Sequence, residues 1–362
     1  MMNVRSAALL GGACALALLG AACGKKETAE PAKTQAAATG IDATVAAPDM
    51  QKVLDALAAL GGKPIETLSP AEARLQPTPT DAVKAVMTQQ GLPTAPDATV
   101  TTQDLTYPAD AGVQKARVYK PAGATGPLPV ILYIHGGGWV IADIDVYDAS
   151  PRALAKAANA IVVSIEYRHA PEAKFPAAHD DANAAYKWVL ANAAKWGGDV
   201  NKVAVAGESA GGNMAVNVAI SARDAKLPLP KSIIAVYPVA DSNLATGSKV
   251  KSADTKPLNT KMLGWFFTHT LANPADAMDP RLNLVGAKLD GLPPTTIILA
   301  SIDPLYDDGV NLAGKLKDAG VTVDLKEYPG VTHEFFGMGS VVAAAKEAQD
   351  YAAAKLKAGF GG

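Results

Sequence analysis

Val203-Ala204-Val205-Ala206-Gly207-Glu208-Ser209-Ala210-Gly211-Gly212 runs from an apolar stretch through a cluster of small residues into a helical pattern. The spacing predicts a buried strand over 203–206, a sharp turn at Ser209 and a helix over 212–223. A serine on such a turn needs small neighbours on both sides, because the backbone there is strained and packs close to adjacent chain. The helix that follows aims backbone N–H groups at negative charge. Taken alone, G-x-S-x-G also describes an ordinary glycine-rich turn between a strand and a helix. The strand before it and the helix after it make Ser209 the candidate nucleophile.

Outward from this stretch the same alternation repeats. Residues 130–134, 161–165, 233–236 and 296–299 are further continuous apolar runs, as strands covered on both faces require. Residues 100–107 and 113–119 read as strands joined by a tight turn, and 321–328 alternates more, as near a sheet edge. Helical patterns cover 149–159, 178–194, 310–319 and 341–357. Strands alternating with helices predict an α/β fold with a mostly parallel, doubly wound sheet. Residues 241–290 interrupt the alternation with the apolar helix Lys261-Met262-Leu263-Gly264-Trp265-Phe266-Phe267, read as a cap piece. Before the first strand, Met50, Val53, Leu54, Leu57 and Leu60 recur at helical spacing. Ser69-Pro70-Ala71-Glu72 is a capping box that starts a second helix, and Val83, Val86 and Met87 suggest a third.

His135-Gly136-Gly137-Gly138-Trp139 follows the 130–134 strand. Three glycines let the backbone approach a ligand and turn its N–H groups inward, as the oxyanion of an acyl transfer needs. A phosphate-binding or simple turn loop is the rival reading. No lysine follows and the spacing is not G-x-G-x-x-G, which argues against a nucleotide. His135 reads as a loop-shaping residue. With a serine on such an elbow, the acid and then the base follow in chain order. His333, after the last strand, is the candidate base; His169, His179 and His269 read as structural or surface residues. Asp303, just after the 296–300 strand, is the candidate acid. It is also a good helix cap before Pro304, and Asp307 and Asp308 are rivals deeper in the next helix.

Together these motifs resemble the hormone-sensitive-lipase-like branch of the carboxylesterases, from about Asp49 to the end of the chain. The resemblance rests on His135-Gly136-Gly137-Gly138-Trp139, Tyr167-Arg168-His169-Ala170-Pro171-Glu172, Gly207-Glu208-Ser209-Ala210-Gly211-Gly212-Asn213, and Asp303-Pro304-Leu305 with Asp307-Asp308-Gly309. It implies an α/β-hydrolase fold with a helical cap, and ester hydrolysis by Ser209, His333 and Asp303. It also implies an oxyanion hole from the N–H groups of Gly137, Gly138 and Ala210, and short- to medium-chain esters as substrates. Three positions depart from the family pattern: His169 where Leu is usual, Glu208 where Asp is commoner, and Glu334 where Gly is usual. Trp139, Met262, Trp265 and Phe266 are candidate walls of the acyl pocket, although plain helix packing explains the last three equally well. Amide hydrolysis or acyl transfer on the same residues is an alternative, as is a catalytically dead surface protein.

Composition narrows the partners. The chain has 362 residues and a net charge of −2, with no basic stripe, so nucleic acid is not an expected partner. No metal or cofactor is expected, and composition leaves the oligomeric state open. Arg5 followed by an uncharged Ala/Leu/Gly run reads as an export signal over 1–22, too short to span a bilayer. It ends at Leu19-Gly20-Ala21-Ala22-Cys23, resembling a lipoprotein processing site in which Cys23 carries the lipid, with an ordinary signal peptide and a chance cysteine as the rival reading. The expected location is then the periplasm or cell envelope, with membrane contact only through that anchor. Residues 23–48 read as a tether, 49–98 as N-terminal cap helices and 99–362 as the catalytic domain. Both cysteines, Cys14 and Cys23, fall before the folded body, which leaves no disulfide there.

Overall fold

The computed structural model describes residues 44–361. The expected export signal, Cys23 and most of the expected tether lie outside the described residues.

Among the described residues, eight strands form one sheet: β1 (Val100–Ala109), β2 (Gly112–Pro121), β3 (Leu128–Ile134), β4 (Ile161–Ile165), β5 (Gly198–Glu208), β6 (Ile233–Val236), β7 (Thr295–Ile302) and β8 (Val323–Thr332). Their order is β1-β2-β4-β3-β5-β6-β7-β8. β1, β2 and β4 pair antiparallel, and every other neighbouring pair is parallel. Helices α1 (Pro48–Ala59), α2 (Pro70–Ala73) and α3 (Pro79–Gln89) precede the sheet. α4 (Ala149–Ala158), α5 (Ala177–Asn192), α6 (Ala210–Asp224), α9 (Tyr306–Asp318) and α10 (Ala343–Gly359) flank it, and α7 (Gly247–Lys251) and α8 (Thr260–Thr270) lie in the 241–290 insertion. This is an α/β-hydrolase fold.

Side chains alternate across the sheet. Val130, Leu132 and Ile134 pack with α5, α6 and α9, while Ile131 and Tyr133 pack with α4 and α10 on the other face. Both faces are covered, which is why the inner strands read as unbroken apolar runs. Burying each of these side chains contributes about 1.5–3 kcal/mol. α10 presents Ala345, Ala348 and Ala352 to the sheet, so the helix approaches closely.

Two registers decide where function sits. From β3 the chain steps to β4 on one side, then returns to β5 on the other, so a crevice opens at the carboxyl ends of β3 and β5. There Ile134 pairs with Gly207, so the glycine-rich loop and the serine turn leave the sheet side by side. At β7 and β8 the last pair is Ile302 with Thr332, so Asp303 and His333 leave the sheet together.

Details differ from the expected boundaries. α6 begins at Ala210, two positions before the expected start, because helical geometry is taken up immediately after Ser209. α7 lies where no helix was expected. The first helix buries Met50 and Val53 in the same core as β8 and α10, and Ala343 N–H donates to Asp49 Oδ2 at 2.8 Å. Ser69 and Glu72 make the expected capping box. Asn259 caps α8 by accepting from Met262 N–H at 2.8 Å.

Candidate active site

Ser209 has φ 57° and ψ −118°, a sparsely populated conformation for a residue with a Cβ. Such strain costs on the order of 1–3 kcal/mol. The backbone holds it: Ser209 N–H donates to Val236 O at 2.9 Å, and Ser209 O accepts from Asn213 and Val239 N–H groups at 3.0 and 3.2 Å. Close approach dictates the two flanking glycines. A Cβ on Gly207 would lie 2.2 Å from Gly211 O, and one on Gly211 would lie 2.0 Å from Ile134 O.

His333 bridges two groups. Its Nε2 lies 3.0 Å from Ser209 Oγ, and its Nδ1 lies 2.7 Å from Asp303 Oδ2. All three side chains are buried. Asp303 keeps its second role, because Oδ1 accepts the Leu305 N–H at 2.8 Å as a cap to the turn before α9. The rivals point elsewhere. Asp307 Oδ2 accepts from Ser248 N–H at 2.7 Å, and Asp308 Oδ1 pairs with Lys249 Nζ at 2.7 Å. The structure therefore brings Ser209, Asp303 and His333 within bonding reach and leaves Asp307 and Asp308 outside.

Burial works against a charge on His333. The Asp303 carboxylate and its hydrogen bond, with Glu334 and Glu208 beyond, outweigh burial and hold the imidazole above its usual 6.5. Glu334 sits at φ 70°, its Oε1 3.8 Å from His333 Nε2, and accepts the Tyr147 hydroxyl proton at 2.7 Å. Beneath the histidine, Glu208 accepts hydrogen bonds from Tyr133 and Tyr237, and the Tyr237 ring packs 4.4 Å from that of His333. Burial first, then the Glu334 charge, push Glu208 up to about 7. With His333 as the base, which must then be unprotonated, kcat/KM is expected to rise with pH through an apparent value above 6.5. Glu334→Gln removes a charge that favours the imidazolium, so the acid limb should move to lower pH. An unmoved limb would show that Glu334 does not act on His333.

Gly137 and Gly138 follow β3 at φ 92° and 57°, which residues with a Cβ adopt rarely. Gly137, Gly138, Ser209 and His333 line one cavity of about 650 Å³. Ala210 opens α6, and its N–H is one of the donors that helix geometry leaves unpaired. His135 shapes the loop: Nδ1 donates to Gly136 O at 2.9 Å, and the ring stacks on Tyr167. His179 is buried against Trp139 with Nε2 3.0 Å from Asn213 Oδ1, and His269 packs on Trp265.

The cavity wall corrects one expectation. Trp139, Met262 and Phe266 line it, and Trp265 does not. The Trp265 indole N–H donates to Leu68 O at 3.0 Å and ties α8 to the N-terminal segment. Leu263 and Phe267 take its place in the wall. The inward face of α8 is thus 262, 263, 266 and 267, which keeps Met262 and Phe266 and is turned about 75° from the expected one. Every residue from Trp265 to Phe267 is apolar, so periodicity carried no signal to choose between the two faces.

Residues 131–337 match the α/β-hydrolase fold family. The chain is 40% identical over 245 residues to carboxylesterase NlhH of Mycobacterium tuberculosis, covering 67% of this chain and 77% of that one. It is 36% identical over 242 residues to ethyl acetate hydrolase of Pseudomonas putida, covering 66% and 76%. Among solved structures, the hyperthermophilic esterase of the archaeon Pyrobaculum calidifontis superposes with a TM-score of 0.79 at 34% identity, over 87% of this chain and 98% of that one. The fold, the strand-end crevice and these similarities lead to one conclusion: the chain belongs to the α/β-hydrolase family, in its hormone-sensitive-lipase-like carboxylesterase branch, and is a carboxylic ester hydrolase.

Proposed function

We propose that this esterase works through an acyl-enzyme on Ser209. Ser209 Oγ attacks the ester carbonyl while His333 Nε2 takes its proton. Asp303 fixes the histidine tautomer and stabilises the imidazolium. The N–H groups of Gly137, Gly138 and Ala210 stabilise the tetrahedral oxyanion. His333 returns the proton to the leaving alcohol, and water then cleaves the acyl-enzyme by the same route in reverse. The observation that carries this reading is the continuous chain from Ser209 Oγ through His333 to Asp303 Oδ2, at 3.0 and 2.7 Å.

Short- to medium-chain acyl groups fit a cavity of about 650 Å³ walled by Trp139, Met262, Leu263, Phe266 and Phe267. The name of the Pseudomonas putida relative, an ethyl acetate hydrolase, agrees with small esters. A fluorophosphonate probe tests the mechanism. Intact-protein and peptide mass spectra should show one adduct, on Ser209, with parallel loss of p-nitrophenyl ester hydrolysis. Full inactivation with the adduct on another residue would refute the assignment. We also infer export and lipid anchoring at Cys23, supported by the sequence of residues 1–23. Among the described residues no helix is long and apolar enough to cross a membrane. Cys23→Ala should move the protein from the membrane fraction to the soluble one, and an unchanged distribution would remove the anchor.

A further inference from the structure

We propose that His135, Glu166 and His169 form a binding site for a borderline-soft divalent cation, with Zn²⁺ the best match. His135 is the first residue after β3 and Glu166 the first after β4. These strands run parallel with Ile134 paired to Ile165, so the two side chains leave the sheet together. His169 follows three residues after Glu166, in an irregular segment. Each of the three offers a ligand atom within 4.8 Å of the other two, the one such trio among the described residues. A tetrahedral ion with bonds of about 2.0–2.2 Å needs ligand atoms roughly 3.3–3.6 Å apart. His135 Nε2 and Glu166 Oε1 are 2.7 Å apart and all three ligand atoms lie within 4.8 Å of one another, so side-chain rotations that part the first pair would admit the ion.

The hydrogen bonds fit a metal ligand set. A carbonyl can only accept, so His135 Nδ1 carries a proton and donates it to Gly136 O at 2.9 Å. Nε2 then faces a carboxylate oxygen, a contact that needs a proton or a cation between the two atoms. Ligand histidines typically hold the other ring N–H on a backbone carbonyl in this way. Tyr167 reinforces it by stacking on His135 at 4.4 Å and donating its hydroxyl to Gly136 O at 2.7 Å.

His169 completes the set. Its Nε2 is buried with no hydrogen-bond partner among the described residues, an expensive state for a polar atom. The nearby positive charge of Arg74 is committed to Glu172, with Nη1 and Nη2 at 2.8 and 2.7 Å from its carboxylate oxygens. Two imidazoles and one carboxylate suit Zn²⁺, whereas Mg²⁺ and Ca²⁺ require mainly oxygen ligands. Glu166 and His169 border the cavity that holds Ser209, which gives the ion a route in and a fourth position for water.

The test uses the full chain, stripped with EDTA and titrated with Zn²⁺ alone by calorimetry, with melting temperature read in parallel. One equivalent should bind and the melting temperature should climb with free Zn²⁺. His169→Leu and Glu166→Gln should each weaken binding by more than the roughly 10–100-fold that loss of an outer-shell partner costs. Melting in EDTA confirms that each variant folds, and Glu166→Gln carries the test alone if His169→Leu does not. No saturable binding by the wild-type chain, or unchanged affinity and stoichiometry in the folded variants, overturns the proposal.

Discussion

Ser209→Ala is expected to lower kcat on p-nitrophenyl acetate on the order of 10⁴-fold or more. The substitution removes the only atom that forms and breaks the acyl bond in the proposed mechanism, and leaves Gly137, Gly138 and Ala210 in place. Some rate above that of water should persist from oxyanion stabilisation and binding. The melting temperature should change little. Alanine takes the same strained backbone, and His333 keeps its partner Asp303 at 2.7 Å. Steady-state kinetics with a melting curve separates loss of chemistry from loss of fold. Wild-type turnover by the folded variant would sink the mechanism while leaving the family assignment intact.

Lys249→Met is expected to have the largest effect on stability. Lys249 Nζ lies 2.7 Å from Asp308 Oδ1, and both side chains are fully buried. Lys249 Nζ also donates to Asp241 O and Asn243 O, at 2.7 and 3.0 Å. Asp308 Oδ2 accepts the Ala240 and Asp241 N–H groups at 3.0 and 2.9 Å. The pair thus pins the start of the 241–290 insertion and α7 to α9, close behind the turn that carries Asp303. Removing the lysine strands a buried carboxylate, which costs about 3–5 kcal/mol, a fall of roughly 4–8 °C in melting temperature for a fold of this size. Burial first holds Asp308 up at about 6 even with the lysine present. Without it the carboxyl shifts higher still, so the deficit should be smaller at pH 5 than at pH 8, where ionisation is forced. The double substitution Lys249→Met with Asp308→Leu should recover much of the loss, since no charge is left unpaired. A double variant no more stable than the single one would show that the backbone hydrogen bonds of Asp308, rather than its charge, hold the insertion.

The chemistry-bearing turn was legible because its requirements are local. Gly207 and Gly211 are needed by contacts between residues a few positions apart, or with the end of the neighbouring strand, and the strand and helix on either side have their own periodicities. The capping box at Ser69 was legible for the same reason. Other parts of the site were legible only in part or not at all. Asp303 stood out from Asp307 and Asp308 only as the one directly after a strand, and it is the β7–β8 register, which places Ile302 beside Thr332, that brings it to His333. The face of α8 was misjudged at Trp265 because a helix apolar on several sides gives no preferred direction. α7 is too short for periodicity to reveal, and its Lys249 looks like a surface residue until Asp308 is found against it. His169 read as structural or surface; it lies three positions from Glu166 in the chain, but only the β3–β4 register brings His135 to that pair.

The amino-acid order alone settled the alternation of strands and helices, the two-sided burial of the sheet, the serine turn and the glycine-rich loop. Each of these is dictated by backbone geometry within a few residues or by the two- and 3.6-residue repeats of side-chain direction. Only the three-dimensional arrangement decided which carboxylate faces the histidine, which aromatic rings border the cavity, and which buried charges pair. Ser209 and His333 are 124 positions apart. Contacts at such separations depend on strand register and on the angle at which each helix docks, and a chain fixes those by summing many small burial energies over the whole core.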